Sequence, residues 1–178
     1  ITVWQIVAGA AGTTLEFEPA DGAQGVPASA VVLGPREVTY FDVSGSPESP
    51  GDFYVEGTDP FLLTQFLSGN ALAGEGDPCM ALATPVQRWR DDYIVYADPH
   101  MSENHLTITR PLGTLVVVDG VDVESWPTGV DTLDLGGSHE VVRIFVTPGP
   151  HGVTGAAPFT VTVGGWSEYV SLCFPASF

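Results

Sequence analysis

Apolar positions in this chain come in short runs, and most runs end at Gly, Pro or Asp. In the first half, residues 13–17, 30–33, 37–43, 53–56 and 60–66 read as strands. In the second half, residues 113–118, 133–135, 139–146 and 158–163 do the same. The last of these alternates: Phe159, Val161 and Val163 fall on one face, Thr160, Thr162 and Gly164 on the other. Val116, Val117 and Val118 are apolar on both faces, which predicts a central or covered strand. The pieces 44–51 and 147–155 read as turn-rich connections. No long stretch carries helical periodicity, so the pattern predicts an all-β fold with many turns.

The two halves share an order of landmarks. Thr14-Leu15 parallels Thr114-Leu115. Leu33-Gly34 before Glu37-Val38 parallels Leu135-Gly136 before Glu140-Val141. Pro60-Phe61 with Thr64 parallels Pro158-Phe159 with Thr162. This internal repeat predicts two related antiparallel β-sandwich units packed together, residues 1–72 and 104–178. Residues 73–103 are expected to be a constrained, Pro-rich crossover between them. Asp77-Pro78 sets a turn, Thr84 is held extended by Pro85, and 91–96 returns to strand.

Charge narrows the partners. The formal net charge is −17, with no lysine and five arginines. Such a surface repels nucleic-acid phosphates and anionic membranes. It keeps a β protein soluble and discourages edge-to-edge association. The chain opens on Ile1-Thr2-Val3-Trp4, already strand-like, and reads as a domain excised from a larger protein. Cys79 and Cys173 lack any CxxC partner, which leaves a disulfide or two buried thiols. The composition suits an exported chain and hence the disulfide.

Two of the five arginines, Arg88 and Arg90, flank Trp89 in the crossover. Trp and Arg dominate binding hot spots, so Gln87, Arg88, Trp89 and Tyr93 form a candidate ligand-binding set. The competing expectation is a clasp, with Trp89 filling the seam between units while Arg88 and Arg90 pair with Asp91 and Asp92. For metals, Asp119, Asp122 and Glu124 are the calcium candidates, with Asp131 or Asp134 as helpers. The competing explanation is a hairpin turn at Asp119-Gly120. Asp98, His100 and His105 are a weaker set without a standard ligand spacing. No GxSxG, HExxH, P-loop or dinucleotide fingerprint is present. Ser138 and His139 are neighbours whose side chains are expected on opposite faces of a strand.

The order Gly76-Asp77-Pro78 with Met80, then Pro85-Val86-Gln87, then Asp92-Tyr93, resembles the N-terminal domain of IgGFc-binding proteins and its bacterial relatives. Gly12-Thr13-Thr14, Gly57 with Pro60, Val118-Asp119-Gly120 and Gly137-Ser138-His139 extend the likeness over nearly the whole chain. Ser171-Leu172-Cys173-Phe174-Pro175 departs from it, where relatives often carry Tyr-Gly-Tyr-Pro. The resemblance implies an extracellular or cell-surface β module of a larger protein, associated in the animal member with mucus and Fc binding. It offers no catalytic residues to carry over, and no cofactor is expected apart from the calcium candidates above. The expected function is therefore non-enzymatic recognition or adhesion, with a surface protein or a glycan as partner. The alternatives are an architectural spacer and, further off, a glycan hydrolase with two facing carboxylates.

Overall fold

The computed structural model describes the chain apart from residues 47–48, 75, 128–130, 136–137 and 177–178, and apart from the side chains of 73 and 131–134. Gly136 and Gly137 of the repeat and the side chains of Asp131 and Asp134 thus lie outside the described residues. The architecture is all-β and antiparallel throughout. The first seven strands are β1 (Thr2–Ala8), β2 (Thr13–Pro19), β3 (Val31–Leu33), β4 (Val38–Val43), β5 (Phe53–Gly57), β6 (Phe61–Leu67) and β7 (Met80–Leu82). They build a four-stranded sheet, β4-β1-β6-β7, and a three-stranded sheet, β3-β2-β5. The inward faces meet in a core of Ile6, Ala8, Leu15 and Leu33, flanked by Phe17, Phe41, Val55 and Leu63.

The remaining strands are β8 (Arg90–Ala97), β9 (Glu103–Pro111), β10 (Val116–Val118), β11 (Val121–Asp122), β12 (Asp131–Leu135), β13 (His139–Phe145), β14 (Gly149–Ser167) and β15 (Val170–Pro175). All eight belong to one sheet organised around β14. The early part of β14 pairs with β8 and β10, and its later part with β9 and β15. The register against β8 shifts between Thr154 and Phe159. Tyr93, Val95, Val116, Val118 and Val153 from the early partners share one core with Leu106, Ile108, Val142, Val161 and Val163 from the later ones. One sheet thus folds over itself about its longest strand to make a sandwich.

Two sequence expectations change here. Residues 149–155, expected as turn, are the first part of β14. Their glycines and Pro150 read as punctuation, yet an extended proline is tolerated at the start of a strand. The stretch 73–103, expected as a connector, places β7 in the first sheet and β8 in the large one. The two halves also pair differently: β3, after the first Thr-Leu landmark, pairs with β2, whereas its counterpart β12 pairs with β13. The shared landmarks therefore do not extend to one pairing scheme. Val116 and Val118 are fully buried, and β10 lies between β11 and β14, as the all-apolar run requires.

Candidate functional site

The crossover is fastened at several points. A short helix, α1 (Asn70–Ala73), ends at Gly74 in the left-handed region. Gly76 follows with φ +73, and its amide donates to the carbonyls of Ser167 and Glu168 at 3.0 and 3.1 Å. A Cβ at Gly76 would lie 2.4 Å from Ser171 Oγ, so both the dihedral and the close approach call for glycine. The Asp77 amide donates to Ser171 Oγ at 3.0 Å, and Asn70 Nδ2 to the Glu168 carbonyl at 3.0 Å. Cys79 and Cys173 are disulfide-bonded with Cα atoms 6.1 Å apart. The departure at 171–175 is therefore part of the clasp: Ser171 and Cys173 both hold it.

Beyond β7, Pro85 opens a 3₁₀ turn at Val86–Arg88. Trp89 follows it, half-buried. Its Nε1 donates to the Thr84 carbonyl at 3.1 Å, and its ring meets the His139 ring edge-on at 5.3 Å. His139 in turn stacks on Tyr54 at 5.5 Å. Trp89 thus sits where β5 and β13 meet, as the clasp expectation has it. Tyr54, Ala20, Leu135 and Val141 form a small apolar cluster on the same seam, and Asp52 forms an ion pair with Arg143 across it. Burial, then the nearby Glu56 and Glu18, push the Tyr54 hydroxyl above its ordinary value, which keeps it neutral.

The four candidate ligand-binding residues separate. Gln87 and Arg88 are exposed, and Trp89 is half-buried beside them. Tyr93 is 6% exposed and packs edge-on against Phe159 at 5.0 Å. Its hydroxyl donates to the Phe159 carbonyl at 2.6 Å and accepts from the Arg90 amide at 2.9 Å. Tyr93 is a core residue that anchors β8 to β14, so it leaves the surface set. Arg90 pairs with Asp92 at 3.4 Å with both side chains well exposed, a contact of about 0–1 kcal/mol. Among the described residues Arg88 makes no such pair, contrary to the clasp expectation for that residue.

The calcium candidates point to separate partners. Asp119 and Gly120 both have positive φ and link Val118 to Val121, the two-residue hairpin their sequence predicts. Asp119 Oδ2 bonds His151 Nδ1 at 2.6 Å, and Oδ1 accepts the Gly152 amide at 2.9 Å. Burial opposes ionisation of Asp119, but these two bonds outweigh it and hold the carboxyl below its ordinary value. Asp122 Oδ1 caps a 3₁₀ turn through the Glu124 amide at 3.0 Å, and Glu124 pairs with Arg110. Among the described residues no three His, Cys, Asp or Glu side chains gather closely enough to hold a metal. His100 bonds Asp98 at 2.9 Å, whereas His105 is packed against Trp166 with ring centroids 4.9 Å apart. Donation from the His100 amide, then from its ring, holds Asp98 below its ordinary value.

Two features escaped the sequence reading. Arg110, only 2% exposed, donates through Nε to Glu140 at 2.8 Å and through Nη2 to Glu124. Glu140 Oε1 also accepts the Gly113 amide at 2.9 Å, so this network staples the turn after β9. Beside it lies a shallow cavity of about 250 Å³ between Arg110, Leu115, Asp122 and Glu140. The visible signal was a lone charge within the alternating strand 104–111. The second feature is the contact of Ser138 Oγ with His139 Nδ1 at 2.9 Å. Ser138 precedes β13 instead of lying within it, so the expected opposite-face geometry does not apply.

Compared with known proteins, the chain matches the model of the family described as IgGFc binding protein over residues 1–165. No curated protein and no solved structure matches it.

Proposed function

Because the chain belongs to the IgGFc binding protein family, we propose that it is a non-catalytic recognition module of an exported or cell-surface protein, binding a protein or a glycan. The observation that carries this reading is the turn at Val86–Arg88. It presents Gln87 and Arg88 to solvent from a segment held on both sides by Trp89, Cys79 and Pro85. A rigid base under exposed polar side chains lowers the entropy lost on binding. The Cys79–Cys173 bond fits an oxidising compartment. The test is a binding screen of the folded chain against mucin, a glycan array and IgG Fc. The variant Gln87→Ala/Arg88→Ala runs beside it, with Trp89 left in place. Binding that disappears in the variant supports the turn as a recognition site; binding that persists moves the site elsewhere.

A second reading, an architectural spacer in a long surface protein, is favoured by the seam itself. A disulfide, the Asp52–Arg143 pair and the Trp89–His139–Tyr54 stack stiffen the chain between its two halves. Silence across the whole panel supports that reading.

A further inference from the structure

Direct cross-strand partners share one face of a sheet, so the registers of β4, β1, β6 and β7 define its surface row by row. The first row is Val38, Val7 and Leu62. The second is Tyr40, Gln5, Thr64 and Leu82. The third is Asp42, Val3, Phe66 and Met80. The opposite face carries Ile6, Ala8, Phe41 and Leu63 into the core, so these rows face outward. Gln5, Thr64 and Asp42 are the polar members, and Thr64 among them is only 2% exposed. Tyr40 is 61% exposed, Met80 57%, Leu62 46%, Val38 42% and Leu82 39%. A solvated sheet face normally alternates to polar side chains, and this one does not. Gln5 Nε2 donates to Tyr40 Oη at 2.6 Å, which fixes the more exposed of the two aromatic rings on the face, the other being Phe66.

The size of this face constrains its occupant. Three strand gaps and four residue steps give about 14 Å by 14 Å, or about 200 Å² in plan. One side of a standard protein interface buries about 800 Å². A partner must therefore spread onto the rim, where the charge is acidic. Asp42 lies on the face, and Glu37, Asp59 and Asp77 stand in the turns leading into β4, β6 and β7. Arg36, next to Glu37 in sequence, is the cation in the turn leading into β4. A second copy would set one net charge of −17 against another.

We propose that the outer face of the β4-β1-β6-β7 sheet is a protein-docking surface whose partner has an aliphatic centre ringed by Lys or Arg. This surface is separate from the Val86–Arg88 turn and stands without it. Aliphatic rows supply the desolvated centre, and the acidic rim selects and orients the partner.

The test titrates the chain with a synthetic amphipathic helix carrying Leu on one face and Lys on the other. A matched peptide with Glu for Lys is the control, and binding is mapped by backbone amide shifts. The Lys peptide is expected to shift amides of β1, β4 and β6 and to bind at least about tenfold more tightly than the Glu peptide. Tyr40→Ser/Leu62→Ser should weaken the Lys peptide by about tenfold or more while the unfolding midpoint stays put, since both side chains are exposed. Gln87→Ala/Arg88→Ala should leave that binding unchanged, which separates this surface from the turn. The proposal is overturned by shifts confined to other acidic surfaces, by equal affinity for both peptides, or by no binding. Binding that survives Tyr40→Ser/Leu62→Ser, or a dimer formed through this face in sedimentation equilibrium, also overturns it.

Discussion

Cys79, at the head of the edge strand β7, is bonded to Cys173 in β15 across 94 residues of chain. The bond joins the first sheet to the large one, next to the point where Gly76 and Asp77 are held by Ser167, Glu168 and Ser171. Closing a loop of that length removes entropy chiefly from the unfolded chain. Cys79→Ser/Cys173→Ser should therefore cost about 4–5 kcal/mol, observed as a lower urea midpoint relative to the oxidised chain. A reducing agent should lower the parent midpoint to that of the variant and leave the variant unmoved.

His105 and Gly164 are direct cross-strand partners, and the imidazole lies over the glycine. A Cβ on Gly164 would sit 2.1 Å from His105 Cε1 and 2.3 Å from Nε2. The ring has little room to retreat, because Trp166 packs beside it. Gly164→Ala should destabilise by about 1–3 kcal/mol through overpacking. On a His105→Ala background the same change should cost far less. A double-mutant cycle from urea melts measures that coupling, and strictly additive costs would contradict the contact.

Much of the fold is legible in the sequence because its strands carry local signals. The alternation at 158–163 and the Asp119-Gly120 hairpin need no distant partner to be read. The first part of β14 was hidden by Gly149, Pro150, Gly152 and Gly155, whose turn-like composition is overridden by pairing to β8 and β10. The site was less legible for the same reason. Trp89 looks identical in sequence whether it meets a ligand or His139, and the deciding residues, Tyr54 and His139, lie 35 and 50 positions away. By sequence Tyr93 belongs with the candidate ligand-binding set of Gln87, Arg88 and Trp89. The strict inward phase of β8, which also buries Val95 and Ala97, makes it core.

Protonation of His105 should weaken the fold in mild acid. Burial, and then the Arg143 guanidinium, hold its pKa at about 4 from an ordinary 6.5. The unfolded chain therefore takes up the proton first as pH falls. Stability should be undiminished by this group above about 6.5 and should fall progressively between there and about 4, by up to about 3 kcal/mol. Asp98 and Asp119 are held below their ordinary values, so their own losses come in stronger acid. His105→Phe should flatten the slope of stability between pH 6.5 and 4. An unchanged slope would place the titrating group elsewhere.

The Asp52–Arg143 pair allows the sharpest contrast within one molecule. It lies on the seam, with side chains 16% and 22% exposed. Among the described residues Asp52 Oδ2 and Arg143 Nη1 are buried without hydrogen-bond partners. Removing one partner leaves the other charge stranded in a poorly solvated place. Asp52→Ala should cost about 2–4 kcal/mol, somewhat under the range for a fully buried pair because some water reaches this one. Arg90–Asp92 has side chains 56% and 64% exposed, and Asp92→Ala should move stability by less than about 0.5 kcal/mol. Asp52→Ala/Arg143→Met should recover part of the loss, because replacing both charges removes the desolvation penalty along with the attraction. Urea melts of the three variants settle the matter. Equal, small costs at both sites would mean that the seam is as wet as the surface and that the two halves are held by the disulfide and the aromatic stack instead.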